Sequence, residues 1–110
     1  MAKKRIPADV MKEINNYIQV LKKNKLPIDK VYLYGSYAKG TPHKWSDIDL
    51  CVISPKFKNS WTATQFLWQK RIKDEGLTIE PIGFNPTDFK DKFSPLVTEI
   101  KKTGIIITHI

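Results

Sequence analysis

Two aspartates, Asp47 and Asp49, stand two residues apart in the run SDIDLCVIS. In a strand, residues two apart project from the same face. Both carboxylates then point one way, while Ile48, Leu50 and Val52 point the other way, toward a core. Carboxylates held about 4 Å apart repel by roughly 4 kcal/mol at an effective dielectric near 20, so such a pair calls for a cation. Oxygen donors at this spacing suit Mg²⁺ or Mn²⁺, which take one or two carboxylates together with substrate phosphates. With a single cysteine, Cys51, the chain offers no cysteine cluster of the kind zinc prefers. A bare Asp-x-Asp fits a pair of exposed acids at a strand start equally well.

A second group precedes the first. The run KVYLY stops at Gly35-Ser36, ten residues follow, and then comes Asp47. Glycine at a strand end lets the backbone approach a ligand closely. The Ser36 hydroxyl and the backbone amides of such a turn can cradle a phosphate. Gly40 allows another tight turn, and Lys39 places a positive charge beside it. Each piece alone reads as a simple glycine turn. Their order and spacing between two strands carry the signal.

Gly-Ser, ten residues, Asp-x-Asp resembles the signature of the nucleotidyltransferase superfamily that includes DNA polymerase beta. In length the chain is most similar to the minimal nucleotidyltransferases of prokaryotes. The stretches GSYAKG and SDIDLCVIS carry the match. The resemblance implies that Gly35 and Ser36 contact nucleotide phosphates, and that Asp47 and Asp49 bind Mg²⁺ or Mn²⁺. It implies a third carboxylate on a later strand, completing a two-metal site. The family usually has Asp there; here the best placed acid is Glu80, in LTIEPIGF, with Pro81 after it. Glu80 would ligate metal or accept the acceptor's proton. Asp88 and Asp91 are the fallback candidates, in a polar loop or helix. Two Mg²⁺, three carboxylates and a nucleoside triphosphate sum to about −3, so nearby cations would help. Lys39 is the first candidate, with Lys44 behind it.

The resemblance also implies partners. Minimal nucleotidyltransferases are often paired with a small helical HEPN protein, and several pairs act as toxin–antitoxin modules, some by adding AMP to the partner. A nucleoside triphosphate is the implied substrate. An RNA acceptor and a homodimer stay open.

The surrounding elements must position these groups. Residues 8–24 carry Val10, Ile14, Ile18 and Leu21 on one face, which predicts a helix bounded by Pro7 and Pro27. Residues 30–34 predict a buried strand. Residues 35–46 predict a loop, with a helical turn around 37–39. Residues 47–53 predict the second strand. Residues 60–75 predict a helix capped by Ser60, with Trp61, Gln65, Trp68 and Ile72 on one stripe as core or interface. Residues 77–84 predict a strand at a sheet edge or irregular there, since Pro81 cannot donate to a ladder. Residues 94–103 predict a helix with Ser94 as cap, Pro95 in its first turn and Gly104 at its stop. Residues 105–108 predict a last strand. The expected fold is α/β (α+β): a small mixed sheet with helices packed mainly on one face, one domain over residues 1–110.

The remaining residues have plainer readings. His43 and His109 read as exposed, Trp45 as packing for its loop, and Cys51 as a core thiol. The chain of 110 residues has 27% charged and 41% hydrophobic residues, which argues against disorder. Its small size argues for an open groove, or for a site completed by a partner. No apolar run approaches the ~20 residues of a membrane helix. The basic start MAKKR runs into Pro7 and Asp9, unlike a secretory signal, so a cytoplasmic location is expected. Nineteen Lys and Arg against eleven Asp and Glu give +8, with a pI near 9.6. That balance suits an anionic partner or simple solubility.

Three functions are set against one another. The first is a Mg²⁺-dependent nucleotidyltransferase. The second is a contact-only antitoxin-like module with a vestigial site, favoured if Glu80 turns away from Asp47 and Asp49. The third is a basic nucleic-acid-binding protein. It ranks last because the lysines are scattered.

Overall fold

A computed structural model describes residues 6–40, 47–71 and 78–107. Four strands form one mixed sheet in the order β3-β2-β1-β4. β1 (Lys30–Tyr34) runs antiparallel to β2 (Ile48–Ile53) and to β4 (Ile105–Ile106), while β2 and β3 (Ile79–Phe84) are parallel. Two longer helices, α1 (Ala8–Lys23) and α3 (Ser60–Gln69), contribute to the larger core on one face. The four-residue α2 (Ser36–Lys39) follows β1, and α4 (Pro95–Thr103) packs with a 3₁₀ turn (Asp88–Lys90) on the other face.

Strand parity divides the core as the alternation requires. Val31, Leu33, Ile48, Leu50 and Val52 face α1 and α3, and bury Val10, Ile14, Tyr17, Leu21 and Leu67 with them. Tyr32, Cys51, Ile53 and Phe84 face the other way and meet Phe89, Val97 and Ile100. Each fully buried Leu, Ile or Val contributes roughly 1.5–3 kcal/mol. The buried Tyr17 hydroxyl donates to the Leu67 carbonyl at 2.6 Å, so α1 and α3 are joined by a satisfied polar contact as well.

The expected α3 is corrected in two respects. Its cap is Asn59, whose side chain accepts from the Thr62 amide at 2.8 Å; Ser60 is the first helical residue. Its buried positions are Ala63 and Leu67, not the tryptophan stripe. Trp61 is 73% exposed and Trp68 43%. The cause is a close approach to β3. A side chain added at Gly83 would place its Cβ 2.6 Å from the Ala63 Cβ, so only small residues fit at the crossing. The helix ends at Gln69.

β3 lies at the sheet edge, which explains Pro81. The Pro81 carbonyl accepts from the Trp68 indole at 2.9 Å, and the Gly83 amide donates to the Thr64 hydroxyl at 3.1 Å. The backbone at 81 and 83 therefore faces α3 and not β2, and the missing proline N–H interrupts no ladder bond. Helix side chains close an edge that would otherwise expose unpaired backbone groups. At the opposite edge β4 has two residues, shorter than the sequence suggests; Thr108 lies outside the described residues.

Candidate active site

Gly35 ends β1 with φ 75° and ψ −150°, a conformation open essentially to glycine alone. A Cβ at this position would also collide with the Asp49 carboxylate. Two independent constraints thus select glycine here, and the second sets Gly35 against Asp49. Ser36 begins α2, where Tyr37 and Ala38 are buried and anchor the turn to the core.

Asp49 is in β2 and Asp47 immediately precedes the strand. In the parallel pair, Asp49 is the register partner of Glu80, and in the antiparallel pair it is the partner of Tyr34. The third acid therefore comes across the sheet from the neighbouring strand. The Glu80 side chain also lies within hydrogen-bonding reach of Asp47. The structure brings Asp47, Asp49 and Glu80 together beside Gly35.

The electrostatics follow from that convergence. Partial burial, then the charges of Glu80 and Asp47, push the Asp49 carboxyl up to about 6. Burial, the Asp47 charge and the hydrogen bond to Asp47 raise Glu80 too, against a lowering influence from Arg71. Burial raises the Tyr34 hydroxyl well above its ordinary range, with Asp49, Cys51, Glu80 and Glu99 adding to it. Cys51, one alternation deeper than Asp49, is fully buried and its thiol is pushed up to about 12 by burial, as a core thiol should be.

The donor set is entirely oxygen and suits Mg²⁺ or Mn²⁺. Among the described residues, no three Asp, Glu, His or Cys side chains already stand in a metal-ligating array. Three ionised carboxylates on one patch are the condition under which a divalent cation is most strongly favoured.

Other expected residues are placed differently. The Lys39 ammonium pairs with Glu99 of α4 at 2.9 Å, at an exposed position, so its charge is held toward α4. It lies at one side of an open groove of about 630 Å³ whose lining includes Lys92, Phe93 and Lys102. Asp88 and Asp91 are held in their own turns. Asp88 bonds with Asn85, and Asp91 accepts from the Phe93 amide. His43, Lys44, Trp45, Ile72, His109 and the basic residues 3–5 lie outside the described residues.

The residue that sequence reasoning missed is Arg71. Its guanidinium stacks on the Trp68 ring at 4.2 Å, and its charge acts on Glu80. The signal was its position at the end of a helix leading into the Glu80 strand.

The match to a family described as "Nucleotidyltransferase domain" covers residues 14–107. The chain belongs to that nucleotidyltransferase family. Over 40 residues it is 42% identical to protein adenylyltransferase MntA of Shewanella oneidensis. That segment is 36% of this chain and spans only 29% of MntA. Solved nucleotidyltransferase-family folds resemble it over most of its length. A candidate nucleotidyltransferase from Sulfolobus solfataricus superposes with a TM-score of 0.59 at 19% identity, covering 89% of this chain and 78% of that one. A tyrosine variant of the MntA-HpeT toxin-antitoxin superposes at 0.55 with 23% identity, covering 86% and 70%. A toxin-antitoxin structure with AMP-PNP gives 0.52 at 23% identity, covering 84% and 69%. At these identities the structures establish the shared fold. Among the described residues, no helix is long and apolar enough to cross a membrane.

Proposed function

We propose that this family member is a Mg²⁺-dependent nucleotidyltransferase. It moves a nucleoside monophosphate, AMP from ATP, to a protein or nucleic-acid acceptor and releases pyrophosphate. The observation that carries the reading is Glu80 standing opposite Asp49 and beside Asp47, with Asp49 itself against Gly35. A contact-only module has no use for a third acid turned into the patch, so this placement supports transfer. The adenylyltransferase name of the MntA relative supports AMP as the group moved. The MntA-HpeT toxin-antitoxin fold neighbour supports the role of an antitoxin subunit working with a toxin partner; that this partner is a small helical HEPN-type protein is what the family resemblance implies.

Asp47 and Asp49 would hold divalent metal, with Glu80 as third ligand or as base. The metal would supply Lewis-acid stabilisation at the α-phosphate and at the leaving oxygen. Gly35 and Ser36 would seat the phosphates, since a Cβ-free turn lets backbone amides approach them. The acceptor hydroxyl attacks the α-phosphorus, its proton passing to a carboxylate, and the bond to pyrophosphate breaks. A raised Glu80 is suited to take that proton.

The test uses water as acceptor. Purified protein with Mg²⁺ should convert ATP slowly to AMP and pyrophosphate, and the Asp47→Asn/Asp49→Asn variant should fall to background. Release of ADP and phosphate, or equal rates in the variant, would reject the proposal.

A further inference from the structure

Helix α3 packs against β3 and is followed by Arg71, whose charge acts on Glu80, and it has an unusual surface. Its ten residues, SWTATQFLWQ, contain no charged side chain. At 27% charge, the chain's composition would put about three in such a stretch. Both other long helices carry them: Asp9, Lys12 and Glu13 in α1, Glu99 and Lys101 in α4. The absence is not explained by burial, because Trp61, Thr62, Gln65, Trp68 and Gln69 are exposed.

Two of the chain's three tryptophans stand on this exposed side, seven residues apart and thus about 10 Å along the helix axis. Depletion of charge with enrichment of tryptophan distinguishes the centre of a protein–protein interface from ordinary surface. The surroundings have the other half of that anatomy. Lys58 precedes the helix, Lys70 and Arg71 follow it, and the Arg71 guanidinium is fixed on the Trp68 ring. Trp68 itself is pinned by its indole bond to Pro81, the residue after Glu80. Trp and Arg held in one orientation before binding are the side chains most often found at binding hot spots.

We propose that the outer face of α3, centred on Trp61 and Trp68 and edged by Lys58, Lys70 and Arg71, docks the acceptor protein through an apolar segment flanked by acidic residues. The inference rests on the nucleotidyltransferase reading and adds to it the side from which the acceptor arrives. Charge decides the occupant. A two-fold dimer through this face would set each basic edge near its own copy, since an isologous interface repeats one patch on both subunits. An acidic segment meets those cations with complementary charge. Trp68 ties the face to Pro81, the residue after Glu80, and the Arg71 charge acts on Glu80, so the C-terminal end of this face is the end nearest the carboxylates.

The experiment uses the random copolymer poly(Glu,Tyr), acidic and rich in hydroxyls, as the probe. Its binding to the full chain is followed by tryptophan fluorescence and by anisotropy of a labelled copolymer, with Mg²⁺-ATP binding measured in parallel. The expected result is salt-sensitive binding, weakened about tenfold or more by Trp61→Ala and measurably by Lys58→Glu, with Mg²⁺-ATP affinity unchanged. Trp61 is exposed, so its removal leaves the core intact, and circular dichroism verifies folding of both variants. Equal binding by the variants, or equal binding of poly(Lys,Tyr), overturns the proposal. Self-association lost in Trp61→Ala would assign the face to a second copy and overturn it too. Competition by an oligouridylate at this face would assign it to nucleic acid with the same consequence. Absence of Mg²⁺-ATP binding in the unaltered chain would instead strike the catalytic reading, whatever the copolymer does.

Discussion

Replacing Asp49 with asparagine should stabilise the metal-free protein at neutral pH while removing its response to Mg²⁺. The Asp49 carboxyl is pushed from 3.8 up to about 6 by burial and by the acids around it. A rise of that size corresponds to about 3 kcal/mol against the ionised form, at about 1.4 kcal/mol for each pH unit. The group is only half-buried, and solvent screening reduces this to about 1–2 kcal/mol. The sign follows from proton binding. Between about pH 4 and 6 the folded state holds more protons than the unfolded chain, so stability falls as pH rises through this window. Above it the full penalty is present; below it the penalty is absent. An asparagine side chain carries no charge, so Asp49→Asn should raise the melting temperature by about 5–10 °C at about pH 7.5 in EDTA. The gain should shrink toward zero at about pH 4. Mg²⁺ should raise the melting temperature of the unaltered chain and leave the variant unmoved. Scanning calorimetry at the two pH values reads all of this. A variant less stable near neutral pH, or a gain of equal size at both pH values, would refute the assignment of three opposed carboxylates.

Other substitutions probe the supports. Gly35→Ala forces a Cβ into the Asp49 carboxylate at positive φ. It should cost about 1–3 kcal/mol in urea unfolding and weaken nucleotide binding with it. Thr64→Val leaves the Gly83 amide without its partner at the covered β3 edge, and should cost about 1–3 kcal/mol by the same measurement. Lys39→Ala breaks an exposed ion pair with Glu99 and should change stability by less than about 1 kcal/mol. If Lys39 leaves Glu99 to meet the triphosphate, the same variant weakens ATP binding in calorimetry.

The strands were readable because their signals are local. KVYLY and DIDLCVI are short, apolar and bounded by Gly35 and Ser54, and the Asp47/Asp49 parity follows from the pleat alone. Ser94, Pro95 and Gly104 marked α4 by the chemistry of helix ends, and Ser94 does cap it, accepting from the Val97 amide. Glu80 came from a family pattern; its register beside Asp49 depends on a parallel pairing across 31 positions, which no local signal specifies. The packing of α3 was not legible for a related reason. Hydrophobicity left the tryptophan stripe as core or interface, and the core alternative is excluded because the helix packs so near Gly83 that Ala63 and Leu67 take the interior. Lys39 was assigned to phosphate from its place in the loop, and its partner Glu99 is 60 residues away. Arg71 carried no motif and gained meaning only once Trp68 was seen bonded to β3.

Calorimetric titration of the purified protein with ATP, with and without Mg²⁺, tests most directly whether Asp47, Asp49 and Glu80 with the Gly35–Ser36 turn form a metal-dependent nucleotide site. Binding should require Mg²⁺ and disappear in Asp47→Asn/Asp49→Asn, while Ser36→Ala weakens ATP and spares the metal. Binding that is indifferent to Mg²⁺, or retained in the double variant, would contradict that assignment.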